Sequence, residues 1–180
     1  IVGLGLLCLM RISEVLGLRW QDVDLEAGLV HVRGQLLRRG GRGDWRQTKT
    51  AGSERVVGMP PRVVRLLAAR RERQAEERQR VRVWQMSDYI FTNRHGDTLH
   101  PSTVRVAWAN KLKAAGLPHM RFHDLRHAGT SHLLEQGAGV REVMEVLGHT
   151  DPRLTMGVYA HVHAEQMKRA ASRIDRALGG

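Results

Sequence analysis

A chain of 180 residues with 42% apolar content can bury one good core, and a second full domain would be a stretch, so one domain is the default reading. Its 29 Lys and Arg, only four of them Lys, outweigh 18 Asp and Glu to give a formal charge of +11, spread along the chain rather than gathered in a tail. That balance points to a polyanionic partner, because neutralising phosphates releases counterions, although a solvated basic surface gives the same count and charge alone does not choose DNA over RNA.

The opening run Ile1 to Met10 is too short for a membrane span and lacks the charged start and cleavage site of a secretory signal, so it reads as part of a buried helix. Within it lies Cys8, the only cysteine, which rules out a disulfide inside the chain and fits a reducing cytoplasm. Apolar residues at Ile12, Val15, Leu16 and Leu18 are spaced for a helix ending near Arg19-Trp20, with Arg11 at its base. Leu29 to Arg33 alternates as a strand does, the glycines at 40, 41 and 43 break the chain, and Glu54 to Val57 reads as a returning strand. Lys49 then falls on the loop of a small sheet.

Pro60-Pro61 opens a helix whose apolar face (Val63, Val64, Leu66, Leu67) gives way to a charge run from Arg70 to Arg82, read as a solvated helix end. Asp88 to Phe91 forms a short apolar segment tucked into the core, with a turn at Asn93 to Asp97. Further helices run from Pro101-Ser102 to Gly116, where Pro118 enforces the stop, from about Asp124 to Glu135, and from Val140 to Leu147, closed by Gly148. The last segment, His163 to Leu178, carries Met167, Ala170, Ala171, Ile174 and Leu178 at helical spacing, an amphipathic helix with nothing of its own to cover.

The polar residues that stand out are Arg11, Lys49, the cluster His123-Asp124-Leu125-Arg126-His127, His149 and Tyr159. Cleaving a phosphodiester with a phenol needs cations around the non-bridging oxygens, an in-line nucleophile and an acid for the departing 5′ oxygen, and a candidate for each is present. His123 and His127, four apart on one helix face with His119 and His132 nearby, have a spacing that could serve a metal. No carboxylate is arranged with them, no cysteine joins, and Arg126 would lie beside the cation, so no metal is expected; His127 is read as a packed, hydrogen-bonded helix residue. Of the two tyrosines, Tyr89 sits in the apolar Tyr-Ile-Phe segment, where a core role suffices.

With these residues in place, the chain resembles the catalytic domain of the tyrosine recombinase (phage integrase) family. The likeness runs from Arg11-Ile12-Ser13-Glu14 through Thr48-Lys49-Thr50, the His123-x-x-Arg126 pair and Leu147-Gly148-His149 to Tyr159, and covers nearly the whole chain. It implies an α+β, mainly helical fold with a small antiparallel sheet, the fold of DNA breaking-rejoining enzymes. It further implies that Arg11 and Arg126 hold the phosphate, that His149 hydrogen-bonds it, and that His123 assists proton transfer. Lys49 would be the general acid, Glu14 would hold the site's cations in place or form a plain salt bridge, and Tyr159 would be the nucleophile, giving a 3′-phosphotyrosyl link and a free 5′ hydroxyl. Because bond energy is kept in that link, rejoining needs no cofactor and no metal.

The partner implied is double-stranded DNA, in a prokaryotic or phage-encoded protein of the cytoplasm and nucleoid, with no membrane. The terminal helix would dock on a neighbouring protomer in a homotetramer or, alternatively, pack on its own domain. The chain has no initiating Met and begins close to Arg11, so a separate N-terminal DNA-binding domain and the start of the first helix are expected to be missing, with 1–180 forming the catalytic domain. Two other readings use the same residues: type IB topoisomerase-like relaxation of DNA, and a catalytically silent DNA-binding remnant. The chain departs from the family pattern at Leu9, where a Gly is frequent two residues before the first Arg, and at Gly58, where a Val-Pro or similar pair is common; both bear on local backbone.

Overall fold

Burial of Leu4, Cys8, Leu9 and Met10 sets the centre of the molecule. In the computed structural model, which describes residues 1–39, 42–47, 54–85, 87–148 and 176, the apolar opening becomes α1 (Val2–Leu7), followed by α2 (Ile12–Leu16). Leu4, Cys8 and Met10 join Val15, Leu16 and Leu18 in one core with Val30, Val57, Val63, Ile90 and Phe122. Burial pushes the Cys8 thiol up to about 12, as expected for a thiol packed among apolar groups.

After α2 a single 3-10 turn (Trp20–Asp22) leads into β1 (Val23–Asp24), β2 (Leu29–Val32), β3 (Gly34–Arg39), β4 (Arg42–Gln47) and β5 (Arg55–Gly58). These make two small antiparallel sheets. One has the order β1-β2-β5, with Val30 opposite Val57; the other is the β3-β4 hairpin, with Leu36 opposite Trp45. Four helices complete the described chain: α3 (Pro61–Arg80), α4 (Pro101–Ala114), α5 (Asp124–Glu135) and α6 (Val140–Leu147). The architecture is the helical domain with small antiparallel sheets that the sequence implies.

Three local expectations are corrected. The helix from Ile12 stops at Leu16 rather than running to Arg19-Trp20, because β3 crosses Gly17 so closely that a Cβ there would lie 2.7 Å from the Leu36 nitrogen. The hairpin β3-β4 occupies a stretch where the glycines suggested only a break; it is held by burial of Leu36 and by the Trp45 indole donating to the Gly17 carbonyl at 3.1 Å. The charge run on α3 is not simply a solvated end. Gln74 is buried, accepts from the Trp20 indole at 2.6 Å and donates to the Tyr89 carbonyl at 2.9 Å, while Arg70 donates to the Ile90 carbonyl at 3.0 Å. Long polar side chains thus satisfy the Tyr89 and Ile90 carbonyls, while the Ile90 amide donates to the Leu18 carbonyl beside the antiparallel bridge of Arg19 with Tyr89.

The helix α1 meets α5 at backbone distance. A Cβ on Gly129 would lie 2.1 Å from the Leu6 carbonyl oxygen and 2.5 Å from a Leu9 methyl, so only glycine lets the two helices approach this far. That contact brings the connection between α1 and α2, and with it Arg11, against the first half of α5, which carries Arg126.

Candidate active site

The site is organised by a carboxylate. Arg11 has extended backbone (φ −70°, ψ 149°) at the N-cap of α2, and Glu14 three residues on closes a reciprocal box with it. The Arg11 amide donates to Glu14 Oε2 at 2.8 Å and its Nη1 donates to Oε1 at 2.7 Å. Glu14 is buried at 2% exposure, a place a carboxylate keeps only when paired.

Its second partner is Arg55 on β5, which donates from Nη2 to Oε2 at 3.0 Å and from Nη1 to Oε1 at 3.3 Å. The Arg55 Nε donates to the Val146 carbonyl at the end of α6, at 2.6 Å. Burial alone would push the Glu14 carboxyl upward; the hydrogen bonds and charge of Arg55, and then those of Arg11, outweigh it and hold the group below the ordinary carboxylate range.

Arg126 comes from the first turn of α5 and is also buried. Its Nη1 donates to the Leu9 carbonyl and its Nη2 to the Leu147 carbonyl at 2.7 Å, and Nη1 lies 4.0 Å from Glu14 Oε2. Burial, then the positive charge of Arg11, lowers its guanidinium to about 9, which still leaves it charged at neutral pH. Leu9 meets it with a backbone φ of +52°, the one positive value at a non-glycine residue among those described. This is the position where the family pattern favours Gly, and the departure is accommodated by holding Leu in the left-handed region.

His123 precedes α5 and is exposed, its ring edge-on to that of His127 with centroids 4.9 Å apart. His127 is therefore not the packed residue expected from the sequence; it faces solvent. Partial withdrawal of the His123 ring from water, then the charges of His127, Arg126 and Arg11, lower its pKa, so the neutral imidazole prevails at neutral pH. Beside His123 a cleft of about 330 Å³, lined by Arg105, Trp108, His119, Arg121 and Phe122, carries the basic surface onto α4.

Arg11, Glu14 and Arg126 are thus gathered around one point, with His123 at its edge. Lys49, His149 and Tyr159 lie outside the described residues, as does the expected terminal helix from His163 to Leu178 apart from Arg176, which is helical. The residue that sequence reading passed over is Arg55. The signal was present: in the alternation of β5 it shares a face with Val57, which is 2% exposed, and so points inward. Gly58, the other departure from the pattern, is exposed, and a Cβ there would meet nothing within 4 Å.

The model of the phage integrase family matches residues 1–166. The chain belongs to the phage integrase family. Members similar to it include a XerC-like tyrosine recombinase of Caldanaerobacter subterraneus, 29% identical over 92% of this chain and 46% of the relative, and the integrase of Staphylococcus phage L54a, 30% identical over 89% of this chain and 46% of the relative. This integrase-family chain spans about half the length of the curated relatives it matches. Among solved structures, the Tn1549 transposon integrase in complex with transposon right-end DNA superposes with a TM-score of 0.77 at 22% identity, covering 94% of this chain and 57% of that one. The XerA recombinase superposes with a TM-score of 0.72 at 21% identity, covering 93% and 56%. These likenesses establish the family and the fold.

Proposed function

We propose that this chain is the strand-transfer domain of a site-specific DNA recombinase or integrase. The observation that carries the reading is the pair Arg11 and Arg126 converging on buried Glu14 with His123 at the margin, in a member of the phage integrase family. Two guanidiniums at one locus suit a transferring phosphoryl group, whose charge is spread over several oxygens. Relatives named tyrosine recombinases, and an integrase solved with transposon DNA, support DNA as substrate.

The Tyr159 phenol oxygen attacks phosphorus and forms the new phosphoester bond as the bond to the 5′ oxygen breaks. The phenol proton passes to a neutral imidazole, for which His123 is poised. Lys49 gives a proton to the departing 5′ oxygen, and His149 donates a hydrogen bond to the phosphate. Rejoining reverses these transfers with a 5′ hydroxyl as nucleophile, and no cofactor or metal takes part. The segment from His163 to Leu178 serves as the docking helix between protomers of a DNA-bound tetramer, and the protein works at the nucleoid.

Covalent trapping on nicked duplexes tests the reading. A detergent-resistant protein–DNA adduct that is lost in Tyr159→Phe is expected. An adduct that persists in that variant would assign the nucleophile elsewhere and overturn it.

A further inference from the structure

The cleft beside His123, between α4 and the segment that leads into α5, joins two kinds of surface. Its apolar side chains are withdrawn, Phe122 buried and Trp108, Ala109 and Met120 half-buried, whereas its exposed members, Arg105, His119, Arg121 and His123, are all Arg or His. The Trp108 ring is fixed in place: its Nε1 donates to the Met120 carbonyl at 2.9 Å, and it meets the Phe122 ring edge-on with centroids 6.3 Å apart. Arg121 is paired with Asp124, but among the described residues Arg105 has no ion pair and the His119 ring no hydrogen bond. Arg105, Trp108 and Ala109 share one face of α4, so the helix offers a cation and an aromatic ring together.

A surface that only tracks phosphates needs cations and gains nothing from an apolar floor. In an intact duplex the flat faces of the bases are hidden by stacking, and only a base that has left the stack can lay its face on an aromatic ring. The volume, about 330 Å³, lies at the lower end of the range for small-ligand sites, about 300–1,000 Å³, which suits one nucleotide and not a base pair. We infer that this cleft is a subsite for a single unpaired DNA nucleotide, its base against Trp108 and Met120 and its phosphate at Arg105 and His119. The inference rests on the recombinase reading and adds a substrate contact to it: exchanging strands between two sites parts the bases next to the cut, and His123 is shared between the cleft and the reacting phosphate. The methyl group of a stacked thymine is the other apolar feature that DNA presents, but it lies on a base edge and needs no cleft.

The test compares two labelled duplexes of one sequence, fully paired or carrying a single bulged thymine, by fluorescence anisotropy with the parent chain, Trp108→Ala and Ala109→Trp. The parent should bind the bulged duplex about tenfold tighter, the gain expected of one base on one aromatic ring. Trp108→Ala removes the ring and should bring the ratio to within about twofold of unity, with paired-duplex affinity changed less than about twofold. Ala109→Trp fills the cleft while leaving Trp108 and Phe122 in place; it should abolish the preference in the same way, and it carries the comparison if Trp108→Ala does not fold. Because a base face releases no counterions, the parent's ratio should hold from low to physiological salt while both affinities fall. Permanganate, which oxidises an unstacked thymine, should spare the bulged base in the parent complex and attack it in the Ala109→Trp complex. A parent that binds both duplexes alike or neither, a preference that survives in the folded variants, or one that disappears with salt overturns the inference. Failure of the recombinase reading is seen separately, as the absence of a covalent adduct on nicked duplex, and the bulge preference decides the subsite in either case.

Discussion

Leu9 occupies a backbone conformation that residues other than Gly, Asn and Asp rarely adopt, and does so beside a buried guanidinium that its carbonyl meets. The left-handed turn aims that carbonyl at Arg126, and the cost is offset by the side chain, which is fully buried with Leu134, Val143 and Leu147. The two effects separate by mutation. Leu9→Ala removes the packing and keeps the strained backbone, for a loss of about 2–5 kcal/mol. Leu9→Gly removes the same packing but relieves the strain, so it should be more stable than the Ala variant by about 1 kcal/mol, the reverse of the usual order of the two residues. Urea unfolding of both variants decides this; an Ala variant at least as stable as the Gly variant would show that the turn carries no strain.

Contact between α1 and α5 carries the site at the scale of elements, and Gly129 is where it is made. Helix propensity alone favours Ala over Gly by about 1 kcal/mol. Here the added methyl would meet the Leu6 carbonyl at 2.1 Å, a backbone atom that moves only with its helix. Gly129→Ala should therefore destabilise by about 1–3 kcal/mol, despite the better helix former, and should displace Arg126 relative to Arg11. Calorimetry checks the first part; an unchanged or raised melting temperature would mean that α1 slides freely over α5.

Legibility of the elements divides along the same lines. Helices α5 and α6 were readable to the residue, because an acidic first turn and Gly148 punctuate a periodic apolar pattern. The β3-β4 hairpin was not, because its inward residues, Leu36 and Trp45, are two among many polar neighbours and its pairing is completed by Gly17 far back in the chain. In the candidate site, Arg11, Glu14, His123 and Arg126 were singled out by the family resemblance, and Arg11, Glu14 and Arg126 lie together in the fold. Arg55 was not singled out: the alternation of β5 turns it inward with Val57, but its partners on α2 and at the end of α6 are distant in sequence.

For the whole molecule, charge is the property that the fold leaves unresolved by internal pairing. The chain has 29 Lys and Arg for 18 Asp and Glu, and several of the described acids are already paired within the protein, Glu14 by Arg11 and Arg55 in the interior, Glu77 by Arg70, and Asp124 by Arg121 at the surface. Among the described residues much of the excess stands at the surface, including Arg105 and Arg121 at the cleft beside His123. If that surface tracks a DNA backbone, binding must release counterions, and log K should fall linearly with log salt at about −0.9 per phosphate contacted. Engagement of about four or more phosphates, a modest number for a groove that continues from the site onto α4, predicts a slope of about −3.5 or steeper. Fluorescence anisotropy with a labelled duplex between low and physiological salt measures it. A slope near −1 would confine the contact to a single phosphate and make the remaining charge a matter of solubility rather than recognition, whereas charge-reversing Arg105 should flatten a steep slope by about one contact without touching the chemistry at Glu14.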